Sequence, residues 1–350
     1  MYEIIAQIAA SCSASGTSII GRNGAEMPRC QIPSGAPIES IPMTRYRFMV
    51  PVVVFLAVGS AHRSIAAVEY TAVGRSSTAT PNVAVGPQYD STHVYVASAD
   101  LDRFVASFVA TFGGQSSKPT VMNVLPVPSS TEFQFLQTPV GTLSVFAFQT
   151  PVPFPFGQER TGYLVANMDQ ATGAARSAGA EVIVEPFKDP IGIDAIIQWP
   201  GGLKMQLYWH FTPPKYAPLQ TVPDNRVYVS RDRADSFVNS FVRFAHGKVV
   251  ADDRQADAGE IGRPGETYRR IRITSLFGNM QVLVTDGHLP YPFGHEITGY
   301  QVQDLAVTLE KAKAAGVTVL AAPYKTSDRT TVIVEFPGGY IAEVHSVDAR

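Results

Sequence analysis

Few side chains among these 350 residues combine reactive chemistry with a suggestive setting. His93 opens the alternating run HVYVAS directly after Asp90, Ser91 and Thr92. In YIAEVHS, Ile341, Glu343 and His345 share one face of a strand and Tyr340, Ala342 and Val344 the other. Imidazole and carboxylate groups in such places can carry protons near neutral pH. A histidine at a strand entrance also serves as an exposed or capping residue. The Glu343 face can line a cavity or meet water, and His345 sits toward a solvated chain end. Glu159 and Glu296 hold matching places in FGQE and FGHE, and a position kept in both copies points to a structural task such as binding loop amides. The aromatic residues before them, Phe154, Phe156, Tyr291 and Phe293, lie in Pro-rich runs that read as stiff crossovers packed over a sheet edge. A substrate-facing aromatic wall is the alternative. Trp199 and Trp209 flank a tight turn and a strand end, as core or rim residues do.

No nucleophile elbow, P-loop or dinucleotide fingerprint accompanies these groups, which leaves hydrolase, kinase and dehydrogenase chemistry without support. The net charge of -2 and pI near 6.4 give no field that would gather nucleic acid. With 45% hydrophobic and 17% charged residues the composition is that of a folded soluble protein. The strongest targeting signal starts at Met43: Arg45 and Arg47, an apolar run from Phe48 to Ala61, then small residues at Ser64, Ala66 and Ala67. That is the order of a secretory signal peptide cleaved near Ala66 or Ala67, and the run is too short for a stable membrane anchor. The expectation is export, to a periplasm or outside the cell. Residues 1–42 read as a doubtful leader or a mis-assigned start, 43–67 as the signal peptide and 68–89 as a linker. Both cysteines, Cys12 and Cys30, fall in the leader, so the mature chain has no thiolate ligand or cysteine nucleophile.

The elements that must position these residues come from an internal repeat. PFPFGQERTGY (153–163) returns as PYPFGHEITGY (290–300), an offset of 137 that also pairs Gly179 with Gly316, Pro186 with Pro323 and WPGG (199–202) with FPGG (336–339). Upstream, HVYVASADLDRF (93–104) returns as RVYVSRDRADSF (226–237) at an offset of 133. The change places a four-residue insertion in DDRQADAGEIGRPGE (252–266). Leu101, Phe104, Val105, Phe108 and Phe112 form a helical stripe, repeated by Phe237, Val238, Phe241 and Ala245. Helices over 168–178 and 305–315 are predicted to stop at Gly179 and Gly316. Apolar strands and a Pro-Gly-Gly turn follow each. The order is βαβββ, four times, in two long units at 90–213 and 223–348.

This order, with GYQVQDLAVTLEKAKAAGVTVL ahead of a Pro-Gly-Gly turn and YIAEVH, resembles the vicinal oxygen chelate superfamily, which includes glyoxalase I, extradiol dioxygenases and bleomycin-binding proteins. The resemblance covers about residues 90–348. It implies an α+β fold in which the four modules form two glyoxalase-like domains with curled mixed sheets, each sheet pair surrounding a cup. It also implies a divalent metal ion held by residues on the first and last strands. Carried over by position, the first-strand site is His93, Tyr163, Arg226 and Tyr300 in modules one to four. The last-strand site is Gln206 in module two and Glu343 in module four. His93 and Glu343 keep the ligand types, whereas Val145 and Val282 stand near the place of a further carboxylate. If module one shares a cup with module four, His93, Tyr300 and Glu343 meet, and Arg226, Tyr163 and Gln206 line the other cup. Sequential pairing instead puts His93 beside Gln206 and Arg226 beside Glu343, where a salt bridge would close the metal position.

Three functions follow from the resemblance. One is a metal-dependent lyase or isomerase in which His93 and Glu343 hold the ion and the carboxylate moves the proton. Another is a metal-free binding protein in which Tyr163, Tyr300, Arg226 and Gln206 contact an aromatic or anionic small molecule. An extradiol oxygenase is disfavoured, because two histidines and a carboxylate are not completed at matching positions.

Overall fold

A computed structural model describes Val83 and residues 88–347. The expected leader, signal peptide and most of the linker lie outside the described residues. Among those described, no helix is long and apolar enough to cross a membrane.

Each module builds the same small sheet. Module one contributes β1 (Thr92–Ala97), α1 (Leu101–Phe112), the short β2 (Gln115–Ser116) and β3 (Thr120–Met122), β4 (Thr131–Thr138) and β5 (Gly141–Phe148). Module two has β6 (Gly162–Leu164), α2 (Met168–Ala178), β7 (Glu181–Lys188), β8 (Gly192–Gln198) and β9 (Lys204–His210). Module three has β10 (Asp224–Val229), α3 (Ala234–Ala245), β11 (Lys248–Asp257), a 3-10 turn at Ala258–Ile261, β12 (Thr267–Thr274) and β13 (Asn279–Val284). Module four has β14 (Glu296–Gln301), α4 (Leu305–Ala314), β15 (Thr318–Lys325), β16 (Arg329–Phe336) and β17 (Tyr340–Val347). In every module the first strand runs parallel to the last, and the strands between form an antiparallel meander. The fold is thus α+β with mixed sheets, as the resemblance implied.

The helix ends follow the sequence signals. Asn167 caps α2 by accepting from the Gln170 amide, and Gly179 ends it in the left-handed conformation at φ 100° that a side chain would resist. α4 stops one residue earlier than expected, with Ala315 as its cap and Gly316 at φ 84° beyond it.

The modules associate differently on the two faces of their sheets. On the helix side, module one packs on module four: Phe104 and Phe108 of α1 meet Tyr300, Phe336 and Tyr340, and α1 lies on α4. Modules two and three pair in the same way, Trp199 and Tyr163 meeting Phe241, Phe244 and Phe277. On the concave side the partners are sequential. β10 and β14 pair antiparallel, joining modules three and four in one eight-stranded sheet. Between modules one and two the link at the equivalent place is the bond from the His93 amide to the Arg160 carbonyl, 2.8 Å. The expected pairing of one with four and two with three therefore exists, but it builds the apolar helix layers and not the cups.

Candidate functional site

The N-terminal cup surrounds a cavity of about 430 Å³ between modules one and two. Strand alternation decides what faces it. On β1, Val94 and Val96 enter the helix-side core, so His93 and Tyr95 turn to the cup. On β8, Ala195 and Ile197 enter the other core, which turns Asp194 inward, and Gln206 follows on β9. Phe133, Phe135, Phe146, Phe156 and Tyr216 add aromatic wall, and Met122, Leu125 and Ile191 form a partly exposed apolar rim.

The floor is polar and held by a chain of contacts. His93 is 3% exposed; its Nε2 lies 3.6 Å from Asp90 Oδ2 and its Nδ1 3.5 Å from Glu159 Oε1. Ser144, the ladder partner of His93, donates to Asp90 Oδ2 at 2.9 Å, and the Tyr95 hydroxyl donates to Glu159 Oε1. Phe146 stands edge-on to the His93 ring. Burial alone would lower the His93 pKa, but Asp90 and Glu159 outweigh it and lift it to about 10, so the ring is an imidazolium at neutral pH. Asp194 moves the other way for an acid, pushed up to about 7 by burial and by Asp189, against a hydrogen bond from Gln206. Two buried acceptors at the floor, Asp90 Oδ1 and Glu159 Oε2, have no hydrogen-bond partner.

The C-terminal cup has the same frame and the opposite outcome. Arg226 occupies the place of His93, is fully buried, and directs Nη1 to Glu343 Oε1 at 3.2 Å and Nη2 to Glu260 Oε2 at 3.5 Å. Gln281 and Thr331 accept from it, each at 3.3 Å. Glu343 also takes the Thr331 hydroxyl and faces His345 Nδ1 at 2.8 Å. Burial would raise the Glu343 pKa, but Arg226 and His345 hold it down at about 2. Glu260 comes from the inserted segment, whose 3-10 turn folds into the cup, where Tyr268 and Arg270 bind it. Tyr228, Ile261, Leu283, Tyr291 and Ile297 fill the remaining space.

Several expectations are corrected. His93 and Glu343 do not share a cup; the sequential arrangement holds, and Arg226 takes the carboxylate that a metal would need. Tyr163 and Tyr300 do not face the cups: they are 2% and 0% exposed inside the helix-side cores. The cup-facing neighbours on β6 and β14 are one residue earlier, at Gly162 and Gly299, where an added Cβ would stand 2.6 Å from Glu343 Oε2 in the latter. Val145 and Val282 face the helix layers for the same reason, and Ser144 and Gln281 face the cups. Arg226 is buried in an ion-pair network and not presented to a ligand. His345 is 1% exposed, because Glu343 and the β16–β17 ladder enclose it. Of the residues expected at a binding surface, Gln206 alone lines the cavity.

The repeated glutamates part company. Glu296 does the structural task, accepting from Thr161 at 2.5 Å and from Asn225, with burial lifting its pKa to about 7. Glu159 lines the cavity. Phe156 is part of the aromatic wall, while the exposed Phe154 packs under Lys204. Asp90, Tyr95, Ser144 and Asp194 were not singled out from the sequence. Asp194 had a signal, a lone acid in the apolar strand GIDAIIQ.

The residues present do not fit a metal centre of the type the resemblance implies. The two carboxylates beside His93 meet different ring nitrogens, so one ion cannot use that ring and both of them. Among the described residues no three His, Cys, Asp or Glu side chains gather as ligands.

No protein-family model matches the sequence, and neither does any curated protein. Solved structures do match. A mutant of 4-hydroxymandelate synthase from Streptomyces coelicolor is 13% identical, covering 75% of this chain and 94% of that one at a TM-score of 0.52. The 2,3-dioxygenase LapB from Pseudomonas sp. KL28 is 10% identical, covering 77% and 95% at 0.49. At 13% identity the likeness to the synthase is one of fold alone, and it agrees with the fold that the sequence resemblance implied.

Proposed function

We propose that this chain of vicinal oxygen chelate fold is an exported small-molecule-binding protein whose N-terminal cup holds its ligand without a metal ion. The observation that carries this role is the cavity of about 430 Å³ with an aromatic wall and unpartnered buried acceptors at its floor. An apolar pocket with a few convergent polar groups is what small-ligand recognition requires. The metal-dependent lyase or isomerase needs His93 and Glu343 on one ion, and Arg226 stands against that.

Chelator-stripped protein is expected to take up no stoichiometric Zn²⁺, Mn²⁺ or Fe²⁺ in equilibrium dialysis, and to show saturable shifts of cup resonances with small aromatic probes in NMR titration. One ion per chain, lost in His93→Ala, would overturn the metal-free role. Export rests on the run after Met43: expression from Met43 in a bacterium should give periplasmic protein beginning near Ala67 or Val68. Unprocessed chain in the cytosol would remove that part.

A further inference from the structure

We infer that the ligand of the N-terminal cup is an organic cation, an apolar body of one or two rings carrying a protonated amine. This deepens the binding role proposed above and rests on it. The lining brings four carboxylates, Asp90, Glu159, Asp189 and Asp194, against one imidazolium, His93, while the Arg160 guanidinium, outside the lining, sits 5.4 Å from the centre of the Tyr95 ring. Glu159 is fully buried; its Oε1 is taken by Tyr95 and faces His93, and its Oε2 has no partner. Asp90 repeats the pattern, with Oδ2 held by Ser144 and Oδ1 free. Among the unpartnered buried atoms of the lining, Asp90 Oδ1 and Glu159 Oε2 are acceptors and His93 Nδ1 and His210 Nδ1 are ring nitrogens, so the two carboxylates call for hydrogen-bond donors. A buried acceptor left dry is costly, so a ligand that brings N–H groups to this end of the cavity is favoured over one that brings acceptors.

Charge selects among donors. An anionic head would set its oxygens against Glu159 and Asp90, and an uncharged alkyl group would leave both unpaired. An ammonium supplies up to three N–H donors and offsets the excess of acid over base. The aromatic side chains Phe133, Phe156 and Tyr216 in the lining suit a cation as well as the rings that carry it. Of the aromatic or anionic ligand expected from sequence, the aromatic body is kept and the anionic charge is reversed, since Arg226 pairs with Glu343 and Glu260 in the other cup.

Three probes with one body separate the possibilities: tryptamine, 3-ethylindole and indole-3-propionate, titrated into the full chain at pH 8 by NMR and calorimetry. Tryptamine should bind at least about tenfold more tightly than either of the others, the difference expected of a charged hydrogen bond. Glu159→Gln should remove about that factor for tryptamine and leave 3-ethylindole unchanged, and Asp194→Asn serves as a second variant should Glu159→Gln fail to fold. Equal or tighter binding of 3-ethylindole or indole-3-propionate in the cup would overturn the cation and leave the binding role standing. Saturable binding by none of the three would overturn both.

Discussion

The two cups are built on one frame and differ in what neutralises the cation on the first strand. In the N-terminal cup His93 is a small, flat cation paired loosely with Asp90 and Glu159, and the space above it stays open. In the C-terminal cup Arg226 reaches further, draws in Glu343, Glu260, Gln281 and Thr331, and the inserted turn closes over the network. The strand positions correspond: Ser144 to Gln281, Asp194 to Thr331 and Gln206 to Glu343 by the 137-residue offset. The acid has moved from the third strand of one module to the last strand of the other. A reach of a few ångströms in one side chain and four extra residues separate an open cavity from a packed core.

The largest effect is expected where that difference is removed by force. Arg226→Met leaves Glu343 buried without its guanidinium and Glu260 with Arg270 as its remaining cation, which should cost about 3–5 kcal/mol in urea unfolding. Arg226→Met combined with Glu343→Gln should recover part of the loss. A single variant within error of the wild type would show that the guanidinium does not hold the C-terminal cup together.

The contrast between the cups should also appear as opposite pH limits. The His93 pKa is raised from 6.5 to about 10, so its contribution is whole below about 6.5 and is lost as pH rises through about 10. The Glu343 pKa is lowered from 4.5 to about 2, so its contribution is whole above about 4.5 and is lost as pH falls through about 2. His93→Ala should cost about 1–3 kcal/mol near pH 6 and flatten the alkaline limb alone. Glu343→Gln should flatten the acid limb alone. Parallel curves for His93→Ala and wild type between pH 7 and 10 would refute the imidazolium.

Much of this was legible from residue order. The offsets of 137 and 133, the phenylalanine stripes and the glycine stops specify four modules, because period and punctuation are local properties. The alternation of YIAEVHS placed Glu343 and Tyr340 on opposite faces, as found. Three things were hidden. A one-residue shift on β6 and β14 exchanges Tyr163 and Tyr300 for Gly162 and Gly299, since a period of two flips the face with each step. The partner of each module depends on which face is asked about, which no single strand reveals. The role of Glu260 depended on where a polar insertion folds, and a charged loop segment normally reads as solvated.

The smallest and most informative change is Asp194→Asn, which tests whether the open cup is strained for binding. Asp194 faces Asp189, Asp90, His93 and Gln206, and burial lifts its pKa from 3.8 to about 7. The folded protein therefore holds this proton more tightly than the unfolded chain does. The cost of ionising Asp194 is absent below about pH 3.8 and complete above about pH 7. Asparagine cannot ionise, so Asp194→Asn should be more stable than wild type at pH 8, by about 1 kcal/mol after screening by the open cavity, and equal to it near pH 4. The same variant should bind tryptamine more weakly at pH 8, because the carboxylate it lacks is the one whose ionisation a bound cation would repay. Greater stability together with weaker binding is the signature of a residue kept for its ligand at the expense of the fold. A variant less stable than wild type at pH 8 would mean instead that Gln206 and His93 already satisfy the carboxylate, and that the floor of the N-terminal cup is as self-contained as that of its closed counterpart.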